Sequence, residues 1–332
     1  MINMIEKIKN YFHKTKDTLT SHKVKKVVLG SSQKRGIGGQ VVIYILLIGI
    51  SYVFLFPLFK IIATSFMSLN DILDPEVTWI SKKLSFENFA VANRVLGLFP
   101  TSLSNLGNLY KTIRNILILA VIQTGIAALT GFAFARYNFK FKNFWFSMVL
   151  LSFVIPLPMI TMTRLDIISS LQTLTGIKMF NTLFPQILFA LLGQGINSAI
   201  LVLIFYNFFK MIPKSLDEAA RIDGATSIQT FYHVYVKLVI PIVVVVFLFS
   251  FIWNWNDSYT SIVFYSTDNP LVISKLSLFD SEFASLQEQQ SRLNEGYKSA
   301  ATFLTILPLL IIYIFAQKRF IEGIERTGLT GE

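Results

Sequence analysis

The chain has 332 residues, 53% of them hydrophobic and 15% charged, with a net charge of +11. A soluble domain carries about 25% charged residues, so this composition excludes an ordinary soluble fold and indicates an integral membrane protein. The absence of cysteine excludes disulfides, thiolate metal sites and cysteine catalysis. His13, His22 and His233 fall at no metal-ligand spacing, so no metal or haem cofactor is expected.

Residues 1–40 carry nine basic and two acidic residues. Within them Ile2, Ile5, Ile8 and Phe12 recur at helical spacing among lysines. That pattern fits an amphipathic helix on anionic lipid, or a solvated basic tail. No A-x-A-like cleavage site follows the first apolar run, which predicts an uncleaved first span. A helix needs about 20 apolar residues to cross a hydrocarbon core of about 30 Å. Long runs with at most one charged residue give six such spans, at roughly 41–62, 115–135, 143–163, 184–208, 238–260 and 299–317. Pro156 and Pro158 predict a kink or break inside the third. The fourth lies in an uncharged run, Met179 to Phe209, too long for one helix; Pro185 marks its expected start.

The basic residues set an orientation. Residues 1–40, 136–142, 210–237 and 318–332 together hold 19 of the 30 Lys and Arg residues. They alternate with 64–110, 164–178 and 257–298. The positive-inside rule places the basic set, and with it both termini, in the cytoplasm. The net positive charge is thereby explained by topology, and no nucleic-acid partner is expected. The reading is one of domains 1–40 (basic extension), 41–320 (six-span domain) and 321–332 (tail).

Between the fourth and fifth spans lies a polar stretch, 213–237, read as two short helices. Pro213 suits a helix start and Ser215 an N-cap. Asp217 and Glu218 fall in the first turn, where the helix dipole favours carboxylates. Ala219 and Ala220 make a smooth, close-approach surface. Gly224 is the expected turn. Thr226 and Gln229 have capping-box spacing. Ile228, Phe231, Tyr232, Tyr235 and Val236 then form an expected apolar stripe. On periodicity alone this is also an ordinary amphipathic connector.

Residues 218–241 read EAARIDGATSIQTFYHVYVKLVIP. This strongly resembles the EAA loop of binding-protein-dependent ABC transporter permeases, in the IDGA form of the carbohydrate, maltodextrin-type class. FPLFKIIATSFMSLNDI, FENFA, SFVIPLP, FFKMIPKSLDEAA, SFIWNWND and LPLLIIYIFAQKRFIEG agree with the same family in order and spacing, over roughly residues 41–327. Two departures stand out. An Arg-Asn pair replaces the usual Asn-Ser, and Lys237 stands where a proline is common, although Pro241 remains.

The resemblance implies an all-α membrane subunit of six transmembrane helices, part of an ATP-driven sugar importer. Its EAA loop would be a coupling helix docked on a separate ATPase through Asp217, Glu218, Ala219, Ala220, Asp223 and Gly224. Implied partners are a second permease subunit, two ATPase subunits, an external sugar-binding protein and membrane lipid. ATP and Mg would be held by the ATPase, because this chain has no G-x-x-x-x-G-K-[ST] loop.

Two stretches are polar or aromatic enough for a sugar path. Trp253, Asn254, Trp255, Asn256 and Asp257 offer ring faces and amides, or else an interfacial aromatic belt. Gly193, Gln194, Gly195, Asn197 and Ser198 fit close helix packing, with Asn197 a candidate contact. Arg164 and Asp166 pair with each other or mark the outer end of the third span. Alternatives are an autonomous secondary transporter and a permease for a solute such as glycerol phosphate. The first would need ionisable residues at midspan and a repeat, and the sequence shows neither. A membrane enzyme would need a paired carboxylate, a histidine cluster or a set nucleophile, also not seen.

Overall fold

A computed structural model describes residues 30–31, 34–100, 106–265, 269–286 and 294–328. The expected amphipathic or basic segment at 1–30 lies almost wholly outside the described residues. The chain divides into two compact units, Met1–Ala63 and Thr64–Glu332. The first holds two antiparallel two-residue strands, β1 (Gly30–Ser31) and β2 (Lys34–Arg35), and nearly all of helix α1 (Ile37–Ser65). α1 is apolar all round and its most hydrophobic window buries nothing. Such a surface belongs in lipid.

The second unit begins with α2 (Leu69–Leu73), N-capped by the Ser68 side chain, and α3 (Glu87–Leu96). Asn88 is buried and donates to the carbonyls of Ser65 and Met67 at 2.9 and 2.8 Å. The long α4 (Asn108–Arg136) follows. α5 (Lys142–Val154) and α6 (Leu157–Thr175) meet at a 106° bend. The bend is the break that Pro156 and Pro158 predicted. Neither proline has an N–H for the carbonyl four residues back, and each ring disfavours helix before it.

The fourth expected span, 184–208, is not one helix. It is α7 (Phe184–Leu191) and α8 (Ser198–Met211), separated by six residues. Pro185 does sit in the first turn of α7. The interruption comes from Gly193 and Asn197, both left-handed at φ 71° and 52°. α8 rises about 21 Å, short of the roughly 30 Å of a hydrocarbon core.

Next come α9 (Ser215–Ile222), α10 (Ser227–Thr230), a π-helical turn (Phe231–Tyr235) and α11 (Val236–Trp255), which contains Pro241. α12 (Ser258–Phe264), α13 (Val272–Ser277) and α14 (Phe279–Leu286) are short, and α15 (Glu295–Gly328) closes the chain. The chain is therefore mostly helical. Among the described residues four helices are long and apolar enough to cross a membrane, or five with the bent pair. α1, α4, the π turn with α11, and α15 are the four.

α4, α8 and α11 form the centre. Phe132, Phe205, Phe209, Tyr235, Val239 and Val246 pack there with little or no exposure. α4 and α8 approach closely at Gly131, where an added Cβ would lie 2.6 Å from Phe205 Cβ and 2.9 Å from the Tyr206 nitrogen. A second core joins α3 to α13, α14 and α15 through Ala92, Leu96, Phe279 and Ala300.

Candidate functional site

The polar loop has the two-helix form expected from its capping residues. The helix starts one residue earlier than a Ser215 cap would place it: the Lys214 carbonyl accepts from the Asp217 and Glu218 amides at 2.9 and 3.1 Å. Gly224 has φ 75°. It closes the helix as a Schellman turn, with the Ala225 N–H on the Ala220 carbonyl at 2.9 Å. Thr226 and Gln229 form a reciprocal capping box: the Thr226 N–H meets Gln229 Oε1 at 2.8 Å and the Gln229 N–H meets Thr226 Oγ1 at 3.3 Å.

The faces of the loop differ from the expectation. Glu218, Ala219, Asp223 and Gly224 are exposed, as are Leu216 and Ile222. Ala220 and Asp217 turn inward. The Asp217 carboxylate accepts from the Tyr235 hydroxyl and lies 3.6 Å from Arg136 Nη1. Arg136, at the end of α4, also donates to the Ile212 carbonyl at 2.5 Å and sits 5.0 Å above the Tyr235 ring. Tyr235 is fully buried between Phe132 and Phe209. The Asp217 carboxylate thus ties α9 to α4 and to the π turn that leads into α11, and Arg136 extends the tie to the turn after α8.

The predicted apolar stripe is corrected in phase. Tyr232 is 64% exposed, while Phe231 packs on Phe132 at 4.7 Å and Val239 joins Tyr235 in the core. The π turn adds a residue to the helical cycle, so a count at 3.6 residues per turn misassigns the positions around it. Lys237 is exposed and α11 runs on without interruption from the π turn.

The second site lies where α4, α11 and the break between α7 and α8 meet. Gln123, Ser250 and Asn254 are all buried. Gln123 Oε1 accepts from the Ser250 hydroxyl at 2.5 Å and from the Asn254 amide at 2.9 Å. The Gln123 amide nitrogen lies against Gly195, where an added Cβ would stand 1.8 Å from it. Arg164, 8% exposed, donates from Nη2 to the Gln194 carbonyl at 2.5 Å and covers the Phe189 ring at 4.8 Å. It does not pair with Asp166, which is exposed. Arg164, Gln123, Gln186, Asn254 and Asp257 line a cavity of about 30 Å³, and Gln186 Oε1 there is buried without a hydrogen bond. That space suits a water or two.

The WNWND stretch therefore divides. Trp255 is buried against Phe251, and the half-buried Trp253 stacks on Phe249 at 5.3 Å. Asn256 is exposed and donates to the Ile252 carbonyl of its own helix at 3.0 Å. Asn254 and Asp257 alone of the five reach the small cavity. Asn197 lines a larger one of about 220 Å³. The sequence reading missed Gln123, Ser250 and Arg136. Gln123 carried a signal, being an amide in the middle of an otherwise apolar span, and Ser250 lies one helical turn before Asn254. Among the described residues no three His, Asp or Glu side chains converge as a metal site.

Residues 123–326, more than half of the chain, match the family model described as binding-protein-dependent transport system inner membrane component. The chain is 26% identical over 286 residues to the arabinooligosaccharides transport system permease protein AraQ of Halalkalibacterium halodurans, covering 85% of this chain and 93% of that one. It is 27% identical over 295 residues to the maltodextrin transport system permease protein MalD of Streptococcus pneumoniae, covering 87% and 94%. In fold it is similar to a chain of a crystallised bacterial ABC transporter involved in the import of the acidic polysaccharide alginate. The TM-score is 0.64 at 21% identity, over 85% of this chain and 96% of the other.

Proposed function

We propose a function from one premise: this chain belongs to the family of binding-protein-dependent transport system inner membrane components. It is a transport subunit of the ABC importer class, and not an enzyme. It forms part of the translocation path of an ATP-driven importer for sugars or oligosaccharides. Family membership carries the transport role. The sugar class rests on the cargo named for the relatives AraQ and MalD, each matched over more than four-fifths of its length.

Six crossings are proposed, counting α5 with α6 as one and α7 with α8 as another. The basic-residue bias then sets both termini inside a bacterial cell membrane. Non-helical backbone at membrane depth is tolerated where it is buried or lines a cavity. The break between α7 and α8 fits that rule, with Gly195 against the Gln123 side chain and both lining the small cavity.

The exposed face of α9, Leu216, Glu218, Ala219 and Ile222, with Asp223 and Gly224 beyond it, is the proposed contact for an ATPase subunit. A short helix with an apolar ridge and one carboxylate suits insertion into a groove with a basic or amide rim. Asp217, in contrast, anchors this helix to the spans. Two ATPase subunits holding ATP and Mg, a second permease and an external sugar-binding protein complete the proposed assembly. Closure of the ATPases would move α9 and rock the spans between inward- and outward-facing states. The test is a purified complex in liposomes, scored for saccharide-stimulated ATP hydrolysis and uptake. Glu218→Lys and Gly224→Val should insert normally and abolish uptake. Full uptake with unchanged assembly in both variants rejects the coupling role.

A further inference from the structure

The turn between α4 and α5 reads YNFKFKNFW, residues 137–145. It joins α4, long and apolar enough to cross a membrane, to the bent pair α5 and α6. Tyr137, Phe139, Phe141, Phe144 and Trp145 are all exposed. At the end of a span, aromatic rings settle at the level of the lipid headgroups. Interleaved with them are Lys140, exposed, and Lys142, half-buried. The Lys140 ammonium lies 5.3 Å from the centre of the Phe141 ring.

The fold brings a third lysine from far along the chain. Lys210 is exposed in the last turn of α8, with its Nζ 5.7 Å from the centre of the Tyr206 ring. Tyr206 packs on Phe146 at 4.5 Å, Phe146 on Phe134 at 5.3 Å, and Phe134 on Phe139 at 5.5 Å. Lys210 and the turn that holds Lys140 therefore border one continuous aromatic cluster. Its charge is not balanced from within. α4, α5 and α8 contain no Asp or Glu. Among the described residues no ion pair includes Lys140, Lys142 or Lys210. Asp217, which does reach the end of α4, is engaged by Arg136 and Tyr235. The positive-inside bias accounts for the sign of these lysines. It does not account for their gathering on one cluster from two distant segments.

We infer that the aromatic cluster at the α4–α5 turn, ringed by Lys140, Lys142 and Lys210, is a docking site for the phosphate-bearing headgroup of an anionic lipid. Basic clusters beside a span attract such lipids. Lysine stems can lie along the rings while the ammoniums reach a phosphate. The site rests on the crossings proposed above, which set this turn at a membrane face. It does not depend on the cargo or on the ATPase.

The native chain has no cysteine, so Asn143→Cys, exposed in the same turn, carries a single NBD fluorophore. The labelled full chain is reconstituted in phosphatidylcholine bilayers. Nitroxide-labelled phosphatidylglycerol or nitroxide-labelled phosphatidylcholine is added at equal mole fraction. A headgroup site requires severalfold stronger quenching by the anionic lipid. Combining Lys140→Gln, Lys142→Gln and Lys210→Gln should abolish that preference, and Lys210→Gln alone should weaken it although it lies outside the turn. Lys237→Gln, at an exposed lysine in the first turn of α11, should leave the preference intact. Equal quenching by the two lipids in the otherwise native chain overturns the site, and that comparison needs no lysine variant to fold. A preference that survives in the triple variant overturns it too, and loss of ATPase binding in that same variant would make the patch a protein contact. An equal loss in Lys237→Gln would reveal a diffuse surface field in place of a site. Absence of quenching by either lipid removes the turn from the membrane face, and the crossing reading then fails together with the site.

Discussion

Gly195→Ala is the sharpest perturbation the polar cluster offers. A Cβ at this position would lie 1.8 Å from Gln123 Nε2, 2.6 Å from its Cδ and 2.9 Å from its Cγ. A long side chain could ordinarily swing away. Here Gln123 Oε1 is held by the Ser250 hydroxyl and the Asn254 amide, inside a cluster shielded from solvent. Displacing it leaves buried polar groups without partners, at about 1–3 kcal/mol for each that finds no substitute. Overpacking adds about 1–3 kcal/mol of its own. The expected loss is roughly 2–6 kcal/mol, read as a lower temperature of unfolding in detergent or as loss of the monodisperse species. Gly125→Ala on α4 is the control. Nothing lies within 4 Å of its added Cβ, so the exchange should be neutral or stabilising by up to about 1 kcal/mol. In a double-mutant cycle, Gly195→Ala with Gln123→Ala should cost less than the two single changes summed, since the clash needs both side chains. Equal stability of Gly195→Ala and the native chain would refute the reasoning. So would strict additivity.

Gly131→Ala should destabilise more stubbornly, because its Cβ meets backbone of α8 that cannot rotate aside, and deletion of one neighbouring side chain should not rescue it. Asp217→Ala should cost roughly 1–3 kcal/mol by stranding the Tyr235 hydroxyl and the buried Arg136, and Tyr235→Phe about 1 kcal/mol. In the complex both should retain ATPase binding while lowering solute moved per ATP hydrolysed; loss of binding would return Asp217 to the docking face. Outside the spans, the Ser81 hydroxyl chiefly holds the Asp71 carboxyl below the ordinary carboxylate range against the upward push of burial, with smaller help from the Lys83 amide and Ser68. Its contribution is therefore full above that range and lost as the pH falls through the folded value. Protection of the Lys83 amide, corrected for intrinsic exchange, should drop in acid, and Asp71→Asn should show that loss already at neutral pH.

Local chemistry was legible wherever one or two neighbouring residues decide the backbone. Prolines at 156 and 158 announced the bend, Gly224 the helix stop, and Thr226 with Gln229 the next start. Four crossings were visible as continuous apolar helices, because lipid exposure demands a long uniform run and leaves little else to read. The fourth expected span failed for a physical reason. Hydropathy measures transfer into oil, and Gly193, Gly195 and Ile196 are cheap to transfer, so the run stays apolar through the break. The break is set instead by left-handed backbone at Gly193 and Asn197 and by the Gln123 side chain, which lies some 70 residues upstream. No window along the sequence contains that contact.

Asp217 shows the same limit at the scale of one residue. It sits beside Glu218, and the sequence resemblance placed both on the expected docking face. A helix separates adjacent residues by about 100° around its axis, so neighbours cannot both face a partner in the same way. Glu218 is exposed, whereas Asp217 reaches Tyr235 and Arg136. The division has mechanical sense. The proposed coupling role needs one face that a partner can grip and another that cannot slip against the spans it would move. Arg136 ends α4, and the π turn containing Tyr235 begins the run into α11. α4 and α11 also carry Gln123, Ser250 and Asn254 at the far polar cluster. The two sites are thus built on the same pair of helices, so a rigid displacement begun at Asp217 would be carried along them to Gln123, whose side chain rests on Gly195 in the broken helix.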